Sequence, residues 1–292
     1  MFAREVAATE FRGSAGARGV ALGGLAATAL RAAGVDTPVA IAAGLVVGAA
    51  EFSAVERHNG RMRQVRNAAE RVSMASYAKE PLFFGEGAID ADFARVLLDT
   101  INRTSGDIVE LGAGVSTALA AQAIHGSGRH VYSVEHDDAW ADVCRRRLDE
   151  AGLAESVTLV QAPLREQSFD GYRTRWYDPR FLEVVPGRIG MLVVDGPPHS
   201  RGNERWPAAE VFRDRLAPDA VILADDGRRG GERRMVRRWA ELTGRTLRWV
   251  DTSKGAWLLT RDESPRLNGL ALRLARRVNP RPAGHGLAAI PR

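Results

Sequence analysis

The stretch Val109-Glu110-Leu111-Gly112-Ala113-Gly114-Val115-Ser116-Thr117 decides the reading of the fold. A short apolar run enters Gly-x-Gly and leaves into a helix-compatible segment, which predicts strand, tight turn and helix N-terminus in that order. Glycines at such a turn let a ligand approach the main chain closely, and the first amides of the helix point toward it. Taken alone, the motif fits a nucleotide-type cofactor or nothing more than a tight connection.

Outward from this turn, strand-like runs alternate with helical ones from about residue 90 onward. The candidates are Asp107 to Leu111, His130 to Glu135, Ser156 to Gln161, Ile189 to Asp195, Ala220 to Ala224, Thr246 to Val250 and Ala256 to Thr260. Between them lie helical runs such as Asp137 to Ala151, with Trp140, Val143, Cys144 and Leu148 on one face. This alternation predicts an α/β fold, a Rossmann-like doubly wound and mostly parallel sheet of seven strands. Only Asp251 to Gly255 separates the last two strands, too short a link for a crossover helix, so they form an antiparallel hairpin.

Glu135 ends the strand after the glycine turn, where a carboxylate can accept hydrogen bonds from a ribose diol. Nicotinamide and S-adenosylmethionine (SAM) folds both place an acid there. Two features favour SAM: Thr117 stands where a dinucleotide fold often has its third glycine, and Glu110 sits where it could meet the ammonium of an amino-acid moiety. The closing antiparallel hairpin is also foreign to the usual dinucleotide half-domain. On VELGAGVST, VYSVEHD, MLVVDGPPHS and VILADDG, in that order, the chain over about residues 82 to 261 resembles the class I SAM-dependent methyltransferases. The resemblance implies that Gly112 and Gly114, with Glu110 and Ser116, hold the methionine part. It further implies that Glu135 holds the ribose and that Gln161 and Ala162 flank the adenine.

Methyl transfer needs alignment and a sink for the acceptor proton. Asp195 ends one predicted strand, and Asp225 with Asp226 ends the next, so three carboxylates can converge above the sheet. Hard oxygen ligands of this kind suit Mg2+, which lowers the pKa of a bound hydroxyl. The pattern is similar to metal-dependent O-methyltransferases of the catechol and macrocin types, a bacterial small-molecule branch. The plainer reading is that Asp226-Gly227 makes a turn and Asp225 caps the following helix. His199, in Asp195-Gly-Pro-Pro-His199-Ser, is a candidate proton acceptor, and equally an ordinary loop histidine. Trp176 and Tyr177 read as packing for a long connection, with an aromatic substrate wall as the alternative. Arg228, Arg229, Arg233, Arg234, Arg237 and Arg238 read mostly as a solvated helix face, with some available to an anionic acceptor.

The formal charge of +5 rests on arginine, because Lys79 and Lys254 are the only lysines. This permits contact with nucleic acid or an anionic membrane without demanding either. Amino-methylating enzymes of nucleic acids carry an aromatic residue after Pro-Pro so that a flipped base can stack. Here Asp195-Gly196-Pro197-Pro198-His199 offers none, which weighs against a nucleic-acid acceptor but leaves RNA or tRNA methylation by another route as the rival. The single cysteine, Cys144, excludes an intramolecular disulfide and any multi-cysteine metal site, and fits a reducing cytoplasm.

Three regions are expected. Residues 1–78 form an Ala/Gly/Arg-rich helical arm, with an apolar hairpin over 19–50 followed by a polar linker helix. Residues 79–261 form the catalytic domain. Residues 262–292 hold a basic amphipathic helix, Arg266 to Arg277, and a Pro/Gly-rich tail. Arginines flank the hairpin on both sides, as expected for a segment that enters the inner face of a membrane with both ends cytoplasmic; a soluble Ala-rich helical pair is the alternative. The residues favour methyl transfer from SAM to a hydroxyl of a small molecule, and the rival from another class is a non-catalytic SAM- or nucleotide-binding membrane scaffold.

Overall fold

The computed structural model describes residues 20–77, 88–198, 203–229 and 231–261. Two helices open it, α1 (Val20–Ala32) and α2 (Thr37–Tyr77). They are joined by a turn in which Gly34 adopts φ +85°, while Gly34 N donates to Arg31 O and Val35 N to Leu30 O. That double bond pattern ends a helix cleanly, and only glycine takes the left-handed conformation without a steric cost. Pro38 then sits in the first turn of α2, where its missing N–H costs nothing. No break separates an apolar hairpin from a linker helix near residue 50. The segment after Glu51 lacks proline and is rich in helix formers, so α2 continues as one helix about 60 Å long.

The two helices meet through small residues. A Cβ on Gly23 or Gly44 would overlap the other's carbonyl, and Ala40 is fully buried between the helices. Large apolar side chains point elsewhere: Leu25 is 66% exposed, Leu45 70% and Val46 69%.

The catalytic-sized domain follows with α3 (Ala91–Ile101), β1 (Ile108–Leu111), α4 (Val115–Ile124), β2 (Val131–Glu135), α5 (Asp138–Glu150), β3 (Val157–Gln161), β4 (Leu164–Phe169), β5 (Tyr172–Tyr177), β6 (Ile189–Val194), α6 (Pro207–Phe212), β7 (Leu216–Ala224), α7 (Glu232–Thr243), β8 (Thr246–Val250) and β9 (Ala256–Thr260). Seven strands make one sheet in the order β3-β2-β1-β6-β7-β9-β8, parallel except for β9. Strands β1 and β6 are buried along their whole length, as expected at the centre of a sheet covered on both faces. The predicted terminal hairpin pairs Thr246 with Thr260 and Val250 with Ala256.

Two further expectations differ from the structure. The connection before β6 is a second antiparallel hairpin, β4–β5; Tyr172, Thr174 and Trp176 alternate with exposed Arg173 and Arg175, a period-two signal that the reading of this segment as a connection passed over. Trp140 does not join the buried face of α5. It is 40% exposed, while Ala141, Cys144 and Leu148 form that face. Residues Arg266 to Arg277 lie outside the described residues.

Gly190, the second residue of β6, lies directly beside the Ser105 carbonyl, and a Cβ there would overlap that oxygen. Gly190→Ala should therefore destabilise the domain by about 3 kcal/mol through overpacking against backbone. Denaturant unfolding of the variant beside wild type checks this, and an unchanged midpoint would contradict the packing described.

Candidate active site

The carboxyl ends of the parallel strands bring the predicted residues to one rim. Gly112 follows β1 with φ +93°, and a Cβ on it would lie 2.9 Å from Gly196 N. Gly114, by contrast, faces open space: a Cβ there would meet nothing within 4 Å. Helix α4 starts at Val115; Thr117 N donates to the Gly114 carbonyl at 3.1 Å, while the amides of Val115 and Ser116 have no carbonyl within the helix to reach. The glycine loop is thus shaped for a polar or anionic group at a helix N-terminus.

Thr117 shows why threonine stands at this position. Its Oγ1 accepts from Gly114 N at 2.9 Å, donates to Glu110 Oε2 at 2.5 Å, and lies 3.2 Å from Ser133 Oγ. Ser133 Oγ donates to the same Glu110 oxygen at 2.7 Å. Glu110 is only 1% exposed, and burial raises its pKa to about 7 against the pull of hydrogen bonds from Ser116, Thr117 and Ser133. Glu110 therefore braces the glycine loop from below.

Glu135 has a different environment. Its Oε1 accepts from His136 N at 2.7 Å and Asp137 N at 2.8 Å, and its Oε2 accepts from Ala113 N at 3.0 Å. Burial pushes its pKa up, but the His136 side chain and these backbone donors outweigh it, so the carboxyl sits below its ordinary value. Trp140 Nε1 donates to Ala113 O at 2.8 Å, so both polar groups of Ala113 are tied to the β2–α5 region. Gln161 pairs with Glu135 in register and is exposed, while Ala162 is buried and its N–H donates to Glu135 O at 2.7 Å.

On the other side of Gly112, three carboxylates converge as expected: Asp195, Asp225 and Asp226 present oxygens within 4.8 Å of one another. Asp226 has φ +60°, a left-handed conformation that aspartate tolerates. The capping role considered for Asp225 is not observed, since α7 starts from Gly231. Both Asp225 oxygens are buried without a hydrogen-bond partner, and Lys254 Nζ lies 4.0 Å away. Burial, then Asp195 and Asp226, push the Asp225 carboxyl well above its ordinary range. The donor set, hard oxygens with one carboxylate unsatisfied, fits a divalent cation.

Arg205 is the residue that sequence reading missed. Its side chain is 4% exposed, with Nη2 3.1 Å from Asp226 Oδ2 and 3.4 Å from Asp195 Oδ1; it also donates to the Asp195 and Pro197 carbonyls. One guanidinium therefore staples the loop after β6 to the loop after β7. In a chain with so many arginines, nothing local distinguishes this one. Of the arginines after β7, Arg229 pairs with Asp226 at 3.0 Å and Arg228 with Asp251, while Arg233, Arg234 and Arg237 are exposed. Trp176 and Tyr177 are 1% and 0% exposed, so they are packing and not an open wall. His199 lies outside the described residues.

Glu110 titrates near 7 in the fold and near 4.5 when unfolded, so the native state holds the extra proton between those values. Its ionisation should cost roughly 3 kcal/mol of stability as pH rises from 4.5 to 7. Glu110→Gln should remove this cost, so the variant should gain thermal stability over wild type at pH 8 and not at pH 4. Melting curves across that range decide it; parallel curves would contradict the buried acid.

Residues 109–227 match the family described as a methyltransferase domain. No curated protein matches the chain. Among solved structures, the O-methyltransferase TomG from Streptomyces achromogenes is 18% identical, covering 66% of this chain and 96% of its own, with a TM-score of 0.44. An O-methyltransferase from Bacillus cereus is 19% identical over 70% of this chain and 91% of its own, with a TM-score of 0.42. A methyltransferase from Geobacter sulfurreducens is 19% identical over 67% of this chain and 88% of its own, with a TM-score of 0.46. Residues 109–227 are thus similar to a methyltransferase domain, and the match spans the glycine turn and both acidic strand ends of a seven-stranded sheet closed by one reversed strand.

Proposed function

We propose that this protein transfers a methyl group from SAM to a hydroxyl of a small molecule, assisted by Mg2+, at the inner face of the plasma membrane. The observation that carries the chemistry is the convergence of Asp195, Asp225 and Asp226 beside the glycine loop, where Gly112 packs directly against the Asp195–Gly196 backbone. Residues 79–261 are the catalytic domain in this reading, 1–78 its membrane-directed arm and 262–292 a basic tail.

SAM supplies the methyl group. Gly112 and Gly114 let it approach the main chain, Glu135 takes the ribose hydroxyls, and Gln161 with Ala162 flanks the adenine. Glu110 and Ser116 position the loop, since Glu110 is nearly sealed from solvent. Glu135 already accepts three backbone N–H groups, but an ionised carboxylate has about four acceptor sites and its Oε2 takes only one of those bonds.

Asp195, Asp225 and Asp226 would hold Mg2+, whose charge lowers the pKa of an acceptor hydroxyl when bound. Asp195 also serves as proton acceptor. Burial and Asp226 raise its pKa and Arg205 opposes that shift, while a bound cation would lower it and keep the carboxylate ionised and able to accept a hydrogen bond from the acceptor hydroxyl. His199 is the second candidate for that proton. Arg205 holds Asp195 and Asp226 in place from beneath and keeps their mutual repulsion in check.

Asp195→Ala should lower methyl transfer by about a hundredfold or more while calorimetric SAM binding is retained. Failure of the wild-type chain to bind SAM would falsify the reading. Retained binding with no turnover of any hydroxyl acceptor would favour the scaffold. Chelator-treated protein should lose activity and regain it with Mg2+; full activity after chelation removes the metal from the reading.

A further inference from the structure

Resting on that methyl-transfer reading, we propose that the acceptor is an amphipathic, membrane-resident molecule carrying a hydroxyl, reached because the α1–α2 hairpin inserts in the bilayer and holds the catalytic rim beside it. Three observations lead there.

The first is the surface of the hairpin. Gly23 and Gly44 close the contact between the helices, so the large side chains face outward: Leu25, Ile41, Leu45 and Val46 are all more than half exposed. In the most apolar stretch of α2 only 11% of residues are buried. Val39, Ile41, Leu45, Val46 and Val47 point in divergent directions around α2 rather than along one stripe. A second copy of the chain covers one stripe; hydrocarbon covers every side.

The second is the placement of charge. Thr37 to Ala50 carries none. Arg31 and Asp36 sit at the hairpin tip, and Arg57, Arg61 and Arg63 follow at the base, with Glu51 the only acid before Glu56 on α2. From Thr37 to Val55 the helix runs about 28 Å, close to the ~30 Å of a bilayer's hydrocarbon. Polar tip and basic base are thus one hydrocarbon thickness apart, and the arginines at the base match anionic headgroups on the cytoplasmic side.

The third is the rigid link to the site. Helix α2 continues without a break past the base, and Asn67 Oδ1 accepts from Ala91 N at 2.9 Å. Asp92 on α3 accepts from Ser253 N at 2.7 Å and Ser253 Oγ at 3.0 Å, and Ser253 Oγ also reaches Arg63 O at 3.5 Å. The next residue, Lys254, donates to Ala88 O at 2.5 Å and faces Asp225 at 4.0 Å. The turn that touches the carboxylate cluster is therefore fastened to α2 about 12 Å along the helix from Val55. A site held that close to the headgroups takes acceptors from the membrane by lateral diffusion.

The test uses full-length protein, SAM labelled on its methyl group, and separate membrane-lipid and aqueous extracts of the source cells. Label should enter an organic-soluble product from the lipid extract, and the protein should float with vesicles of phosphatidylcholine and phosphatidylglycerol. The double variant Leu45→Asp/Val46→Asp, altered at two exposed positions, should bind SAM as wild type does. It should lose flotation and label membrane acceptors at least tenfold more slowly. Label confined to the aqueous extract would overturn the proposal while leaving methyl transfer intact. So would undiminished lipid labelling by the non-floating variant, or a wild-type dimer that ignores vesicles. Absence of SAM binding would instead overturn the underlying reading, and this one with it.

Discussion

Two glycines set the working geometry of this domain. Gly112 and Gly196 lie so close that a Cβ on either would stand about 2.9 Å from the other's backbone, and one on Gly196 would also strike the Tyr177 hydroxyl. Through this contact the cofactor loop after β1 and the acidic loop after β6 become one surface. Asp195 N and Gly196 N both donate to Leu111 O, so the sheet itself fixes the approach. In the proposed reaction the distance between a methyl donor on one loop and an acceptor at the other would follow from that contact, and alignment is the larger part of what methyl transfer requires.

Around this contact the protein accepts unfavourable burial of charge. Glu110 is kept beneath the loop with its carboxyl raised to about 7, and Asp225 is sealed with no donor on either oxygen. Arg205 and Lys254 offset part of the repulsion but leave it uncompensated at Asp225. Such arrangements lower stability and are typical of sites whose missing charge arrives with a ligand. The hairpin departs from soluble-protein rules in the same sense: it spends its small residues on the helix–helix contact and leaves its large ones uncovered.

Much of this was legible in the chain. The parallel sheet, the glycine turn, Glu135 and the reversed terminal hairpin each follow from local patterns, because period, turn chemistry and link length act over a few residues. The acidic strand ends were legible for the same reason. The β4–β5 hairpin was missed, although Tyr172, Thr174 and Trp176 alternate with arginines, because the polar β4, Leu164 to Phe169, gives no matching signal for its partner. Arg205 was invisible because it folds back on Asp195 and Pro197 of its own loop and reaches Asp226 on the loop after β7, contacts that no local pattern around it marks.

The sequence by itself determined the strands of the main sheet with its reversed terminal hairpin, the glycine turn after β1 and which carboxylates could meet. Only the tertiary structure decided what those groups do to one another. It tied Glu135 to the glycine loop through Ala113, turned Glu110 into a buried brace, set Arg205 between Asp195 and Asp226, and ran α2 unbroken from an apolar hairpin to the rim of the site. The physical reason is that propensity and periodicity are local, whereas desolvation and ion pairing depend on which distant segments come to share one small volume.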